Sequence, residues 1–436
     1  MLKFRWETEF QETEIGEIPK EWEIKKVEEI AEKSILGSTP LKRKIEYWSN
    51  GSIPWLTNKE MEYGQVNIIK DTELKVNEKA LKETNLNLIP PFSLIVSFTA
   101  SVGKVGINKI SITTNQQFIS FVLNKNTSVL YYGYYFVLAK EIIESFSGAT
   151  PFSFITKEKA LQILVPYPPL SEQSRIATVL SWFDDLIENK KRQNEIMENT
   201  AMAIFKSWFV DFEPFQNEEF VYSEEIGREI PKGWEVKAIG DISQIEKGLS
   251  YKSDELSEDE KEGEIFITLK IFQRGGGFRP EYKYYIGNRY KREHITYDGD
   301  LVIALTDMTS DARVVGAPAL VILPPDKTKG ILSLDAAKLM IPDHIKDYLY
   351  LCLKESQEEN ATFANGVNVL HLNLALFKKG KYILLPPTLI LQRFHELVEP
   401  LFKKIILNQK EIMILRKARD ALLPKLVFGK IRVVEI

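Results

Sequence analysis

The chain is written twice. Ile18-Pro19-Lys20-Glu21-Trp22-Glu23-Ile24-Lys25 returns 212 residues later as Ile230-Pro231-Lys232-Gly233-Trp234-Glu235-Val236-Lys237, and Gly148 to Leu170 is echoed by Gly366 to Thr388 at an offset of 218. Solenoid repeats run about 20–50 residues, so a spacing above 200 is that of a whole domain with its connector. Two similar but non-identical domains on two similar connectors suit a molecule that reads two different things a fixed distance apart.

The connectors follow the paired prolines Pro168-Pro169 and Pro386-Pro387. From Ser171 to Trp208 there is no proline or glycine, and a stripe recurs at steps of three and four: Ile176, Leu180, Phe183, Ile187, Lys190, Asn194, Met197, Ala201, Ile204, Trp208. The second connector gives Phe394, Leu397, Leu401, Ile405, Asn408, Ile412, Leu415, Arg419, Leu422, Leu426. Such alternation predicts a coiled-coil seam, with each helix of about 38 residues spanning roughly 57 Å. Ser171 is expected as the first helix's N-cap. Gly429 is expected to end the second, with a kink or early stop at Pro424. Polar groups in a seam fix register and orientation; Asn408 is therefore expected to meet the Asn189–Lys190 region in an antiparallel pair.

Between the connectors lie short apolar runs punctuated by glycine, proline and asparagine, which read as strands. The first domain offers Leu94 to Thr99, a glycine-rich turn over Ser101 to Gly106, and Gln117 to Leu123. The second offers Leu301 to Thr306, Arg313 to Ile322 and Leu332 to Met340. Single helices fit Val129 to Ser147 and Asp343 to Asn360. The expected fold class is α+β (α/β-like): two similar domains, residues 1–168 and 213–387, separated by an antiparallel coiled-coil pair, residues 169–212 and 388–436, with a pseudo-two-fold internal repeat.

One cysteine, Cys352, excludes an intramolecular disulfide and fits a reducing cytosol. It sits in an apolar run and reads as a buried, inert thiol. Met1 to Glu14 is charged and lacks the apolar core of a secretory signal, and no run approaches the 18 or so apolar residues of a membrane span. A cytoplasmic location with no membrane contact is expected. Net charge is −4, a mild argument against nucleic acid, yet Lys33 to Ala160 carries 15 basic and 10 acidic residues. Lys270 to Arg292 holds seven basic residues against Glu281 alone, with the balancing acid in Asp254 to Glu264. Local basic faces of this kind are compatible with DNA, though a single basic loop is more often a solvated surface.

The chain carries no common catalytic signature. The chain has no phosphate-binding Gly-x-x-x-x-Gly-Lys-Ser/Thr loop, and Gly275-Gly276-Gly277 lacks the spacing of a dinucleotide fingerprint. Its four histidines, His294, His344, His371 and His395, have no metal-ligand spacing. The Asp/Asn-Pro-Pro-aromatic signature of amino-methyltransferases is missing. No cofactor, metal or catalytic residue is expected in this chain.

These features together resemble the DNA-specificity subunits of type I restriction–modification systems. The residues carrying the resemblance are Pro169-Leu170-Ser171-Glu172-Gln173-Ser174-Arg175-Ile176-Ala177, the run Phe205 to Phe212, Asn115-Gln116-Gln117, the twin Ile-Pro-Lys-x-Trp-Glu segments and Asp420 to Leu426. The departure is Leu389 to Phe394, where the second Glu-Gln-x-Arg element is reduced to Gln392-Arg393. The resemblance implies a catalytically silent core that reads the two halves of a bipartite, asymmetric site in double-stranded DNA. It implies assembly with two methyltransferase subunits and, in the full enzyme, nuclease/translocase subunits, which would bind adenosylmethionine and ATP themselves. The rival reading is a duplicated protein-binding scaffold without a nucleic-acid role.

Base readout wants Arg, Lys, Asn and Gln on exposed loops. The candidates in the first domain are Lys42, Arg43, Lys44, Thr57, Asn58, Lys59, Ser101, Lys104 and Asn115. Those in the second are Lys252, Gln273, Arg274, Arg279, Thr309 and Arg313. Asn115 has a structural alternative, capping the turn before a strand, and the Arg274 to Gly277 loop is either an approach to phosphate or an exposed turn.

Overall fold

The computed structural model describes residues 2–6, 8–99, 101–140, 143, 155–307, 313–366 and 369–435. The chain divides into two units, Met1–Asp185 with Arg416–Ile436, and Leu186–Leu415. Both are α+β and share one plan. In the first, strands Ala31–Leu36, Phe118–Leu123, Leu94–Ser97 and Val105–Asn108 lie side by side in that order. In the second, Gln244–Lys247, Ala336–Met340, Leu301–Ala304 and Pro318–Leu320 repeat the order. Beside each sheet a parallel pair recurs: Trp55 and Leu56 against Thr113 and Thr114, Phe266 and Ile267 against Ile331 and Leu332. An antiparallel pair closes each domain, Glu23–Lys26 with Leu164–Tyr167 and Glu235–Ala238 with Tyr382–Leu385.

The doubling reaches single backbone atoms. Gly37 and Gly248 occupy matching positions where any side chain would meet main chain: a Cβ would lie 1.8 Å from the Asn115 carbonyl oxygen in one and 2.2 Å from the Ser333 carbonyl oxygen in the other. Glycine is required at both by close approach rather than by a special φ.

Each connector is one helix of 40 residues, Leu170–Phe209 and Thr388–Val427. In the first unit Ile176 and Leu180 share a core with Leu423 and Leu426, and Arg419 bonds Asp184 at 2.6 Å. In the second unit Lys190 pairs with Glu411, Asn408 bonds Asn194 at 3.0 Å, and Trp208 lies 5.9 Å from Phe394. Numbering rises along one helix as it falls along the other, so within each unit the helices run antiparallel.

Several details differ from expectation. Pro169, not Ser171, caps the first helix: its carbonyl accepts from Glu172 and Gln173 N–H at 2.8 and 3.0 Å, and Ser171 is exposed. The helix starts early because Gln173 folds back, donating to the Pro168 carbonyl at 2.8 Å and accepting from Ser128 N–H at 2.8 Å. Pro424 does not stop the second helix, which runs on to Val427 because Leu426 and Val427 are fully buried. In that helix Leu397 is exposed, and Val398 and Phe402 take the inward positions. Asn189 is exposed; Asn408 meets Asn194 and Gln193 instead, a helical turn further along than the helix midpoints place it. The expected helix from Asp343 to Asn360 breaks at Ser356 into Asp343–Glu355 and Gln357–Thr362. The Ser356 hydroxyl and the Asn360 amide donate to the Cys352 and Leu353 carbonyls at 2.8 and 2.7 Å, competing with the helical ladder. Cys352 is partly buried, and desolvation pushes its thiol above the ordinary value.

Helix Val129–Leu138 fixes the first domain to its connectors. Tyr131, Tyr132, Tyr134 and Tyr135 are all buried, and each hydroxyl donates: to the carbonyls of Val427, Pro166 and Leu164, and to the Asp184 carboxylate at 2.6 Å. A buried tyrosine keeps its apolar area without stranding its hydroxyl only under such pairing. In the second unit the corresponding joint is aromatic: Phe209 lies 4.7 Å from Tyr348, 4.9 Å from Phe394 and 5.9 Å from Trp234. The run Phe205 to Phe212 is thus a structural joint.

Candidate nucleic-acid interface

In the first domain three loops converge. Asn58 follows strand Ile53–Leu56, Lys104 precedes strand Val105–Asn108, and Asn115 follows strand Thr113–Thr114. The Asn58 and Asn115 amides both donate to the Gln117 side-chain oxygen at 2.9 Å, and Lys104 Nζ donates to the Asn58 carbonyl at 2.7 Å. Asn115 Oδ1 accepts from the Gln117 N–H at 3.0 Å, the turn-capping arrangement. Thr39 bonds Gln116 across the same loops. Glu60 Oε2 accepts from the Thr57 N–H at 2.9 Å, closing that turn, and Lys59 beside it is exposed. The Ser101 carbonyl accepts from Ser97 Oγ, which itself accepts from the Lys104 N–H at 2.9 Å. Burial pulls the Lys104 ammonium below its ordinary value.

Thr57, Asn58, Ser101, Lys104 and Asn115 therefore gather at one end of the sheet. Gln117, absent from the candidates, is the hub; its place inside Asn115-Gln116-Gln117 was the available signal. Lys42, Arg43 and Lys44 are exposed in a separate turn, where Lys44 donates to the Tyr47 hydroxyl at 3.0 Å.

The second domain keeps the main chain and changes the side chains. Phe98 N–H donates to the Gln117 carbonyl at 2.9 Å and Leu305 N–H to that of Asp335 at 2.7 Å; Asn115 N–H to Leu56 at 3.2 Å and Ser333 N–H to Ile267 at 2.9 Å. Asn115-Gln116-Gln117 is thus replaced by Ser333-Leu334-Asp335. The amide hub becomes a carboxylate, accepting from Thr306 and Tyr251 hydroxyls at 3.1 Å each.

Gln273, Arg274, Arg279 and Arg313 do come together. Gly275 N–H donates to the Arg313 carbonyl at 3.0 Å, Gly277 N–H to that of Pro318 at 2.9 Å, and Gln273 closes the loop through the Gly277 and Phe278 carbonyls. Gly275, Gly276 and Gly277 have φ of +77°, +100° and +117°. That backbone favours glycine, so the loop is built and packed, with Arg274 exposed at its tip. Arg279 is exposed and 3.5 Å from Glu281. Asp307 accepts from the Val314 N–H at 2.8 Å, pinning the far side. Thr309 lies outside the described residues.

Lys252 sits on another loop, where Glu255 accepts from its N–H at 2.8 Å and pairs with Arg289 at 2.5 Å. Lys283 likewise pairs with Glu258. The acidic stretch therefore neutralises part of the basic one, and the cationic surface is narrower than the charge run implies. Hydrogen bonds from Arg289 and from the Lys252 backbone hold the Glu255 carboxyl down at about 2, from an ordinary 4.5. A depressed carboxyl supplies stability above its unfolded value and loses it as pH falls through its folded one. The loop tie should thus persist below pH 4.5 and release near 2. An NMR titration of Glu255 should find that low midpoint, with Arg289→Ala raising it; a wild-type midpoint of 4.5 would mean that the tie does not form.

Among the described residues no group of three or more His, Cys, Asp or Glu is placed to hold a metal, and no helix is long and apolar enough to cross a membrane. Residues 19–198 and 231–415 match the model of the type I restriction modification DNA specificity domain. The chain is similar to the type I restriction enzyme MjaIX specificity subunit of Methanocaldococcus jannaschii, 40% identical over 446 residues, covering 100% of this chain and 99% of that one. The MjaVIII specificity subunit of the same organism is 27% identical over 70% of this chain and 68% of its own length. In fold the chain resembles the crystal structure of a type I restriction–modification S subunit from M. genitalium, with a TM-score of 0.53 at 16% identity, covering 93% of this chain and 96% of that one. Twofold coverage by one domain model, on a backbone that repeats down to matching hydrogen bonds, places this chain in the family of type I restriction–modification DNA specificity subunits.

Proposed function

We propose that this chain binds double-stranded DNA and reads the two halves of a bipartite, asymmetric site. Residues 1–168 act as one reader and 213–387 as the other, with the helices in 169–212 and 388–436 setting the unread gap. The observation supporting two different readers is the matched main chain with unmatched side chains, Asn115-Gln116-Gln117 against Ser333-Leu334-Asp335. Identical scaffolds with different donor and acceptor patterns select different base edges. Unlike a symmetric dimer, whose operators mirror its two-fold axis, such a chain needs no palindrome.

The chain supplies specificity and no catalysis. It recruits two methyltransferase subunits, and nuclease/translocase subunits in the full complex, in the cytoplasm. Methyl transfer, ATP hydrolysis and cleavage belong to those partners, which bind adenosylmethionine and ATP.

The test uses the assembled methyltransferase complex and duplexes altered in one half-site at a time. Arg274→Ala with Arg279→Ala should relax recognition of one half only, by about 1–3 kcal/mol per lost bidentate base contact. Equal loss on every sequence would make them phosphate contacts. Absence of salt-dependent duplex binding by the wild-type complex would favour a protein-binding scaffold instead.

A further inference from the structure

The loop Met61 to Gln65 holds an aromatic ring away from the core. Tyr63 is 51% exposed, and Lys104 and Lys140 place their ammonium groups 5.0 and 5.2 Å from its ring centroid. The loop is braced from below by one side chain. The Asn67 amide donates to the Glu62 and Val105 carbonyls at 2.9 Å each, and its oxygen accepts from the Glu62 N–H at 2.9 Å. At the tip, the Gly64 carbonyl accepts from Arg419 at 2.8 Å. Arg419, 5% exposed, is fixed in turn by Asp184 at 2.6 Å. A ring presented on a braced loop is preorganised: little side-chain or loop freedom is left to lose on binding.

We propose that Tyr63, Lys104 and Lys140 form a built contact for the sugar–phosphate backbone of one DNA strand beside the first reader's half-site. The inference rests on the DNA-binding reading above and names the chemistry of one part of it. Lysine is a flexible point charge suited to phosphate rather than to bidentate base recognition. Phosphate contacts position a protein on the duplex without carrying sequence information. The half-exposed ring beside the two cations supplies an apolar surface for a deoxyribose, and Lys104 links this contact to the base-reading loops through the Asn58 carbonyl. Tyr63, Lys140 and the loop's bracing groups lie outside the base-reading cluster, so through them the contact is separable from readout.

The experiment measures affinity of the methyltransferase-assembled complex for a labelled cognate duplex and a scrambled duplex, across a salt series. Each phosphate contact contributes about 0.9 to the slope of log affinity against log salt. Lys140→Ala, which leaves Lys104 on the Asn58 carbonyl, should reduce that slope by roughly one unit and weaken both duplexes by the same factor. Tyr63→Ala should weaken both several-fold and leave the slope unchanged, while Tyr63→Phe restores binding. Retained hydrogen-exchange protection of Asn67 confirms that the loop is intact in each variant. Intact variants with wild-type slope and affinity, or a loss confined to the cognate duplex, overturn the proposal while leaving DNA binding standing. A wild-type complex with no salt-dependent binding overturns both.

Discussion

Arg432→Ala is expected to remove about 3–5 kcal/mol from the first unit, the cost of leaving a buried partner charge uncompensated. Arg432 and Glu172 form a two-point ion pair whose side chains are 8% and 3% exposed. Glu172 Oε2 accepts from Arg432 at 2.7 Å and from the Trp22 indole N–H at 3.2 Å, and the guanidinium lies 5.6 Å from the Trp22 ring centroid. Removing the arginine strands a carboxylate with one neutral donor. Replacing both partners by methionine should cost far less, because desolvating two charges offsets most of their attraction. Hydrogen exchange reads the two units separately: protection should fall around Tyr131 to Phe136 and stay unchanged around Tyr348 to Leu353. A loss below about 1 kcal/mol, the size of an exposed pair, would contradict the assignment. Among the described residues the second unit has no such pair at the matching joint, where Trp234 packs on Phe209, Phe212 and Phe215.

The second large effect concerns the gap. Removing one heptad from each long helix, Ile187 to Gln193 with Gln409 to Leu415, deletes Lys190 and Glu411 together and spares Asn194 and Asn408. A seven-residue deletion keeps the 3.5-residue seam in phase and shortens each helix by roughly 10 Å, about three base pairs. The shortened protein, assembled with its methyltransferase, should recognise the same two half-sequences across a gap about three base pairs shorter. Methylation protection on duplexes of graded spacing measures this. Full activity at the original spacing would remove the helices from the role of ruler.

Much of the fold was legible because duplication is visible without knowing any structure. Two copies of Ile-Pro-Lys-x-Trp-Glu and two double-proline starts announce two domains and two helices, and an unbroken run of three- and four-residue steps announces a seam. Residue-level register was less legible. Leu397 and Val398 are both apolar, and only packing decides which turns inward; Asn189 and Asn194 are equally polar, and only the antiparallel register decides which meets Asn408. Ser171 was misplaced because Gln173 reaches the Pro168 carbonyl, a contact that spacing does not announce.

The candidate site was legible in residue type and less so in grouping. Asn58, Lys104 and Asn115 are far apart in sequence, yet strand order brings their loops to one end of a sheet. Gln273, Arg274, Arg279 and Arg313 gather because the glycine loop bonds back to strand Pro318–Leu320 and to the Arg313 carbonyl. Charge counting overstated the basic face, since Glu255 and Glu258 return to pair with Arg289 and Lys283. Tyr63 carried no sequence signal: a lone exposed tyrosine acquires meaning only from the two lysines that the fold sets beside it.

This chain, carrying two unlike DNA readers on a duplicated frame, should stamp both of them on the methylation pattern. The most direct measurement is to express it with its methyltransferase partner in cells lacking other modification and map every methylated adenine or cytosine by single-molecule sequencing. The expected result is one bipartite motif of two dissimilar half-sequences around an unread gap, with Arg274→Ala and Arg279→Ala altering one half and sparing the other. A palindromic or continuous motif, or arginine changes felt equally in both halves, would contradict it.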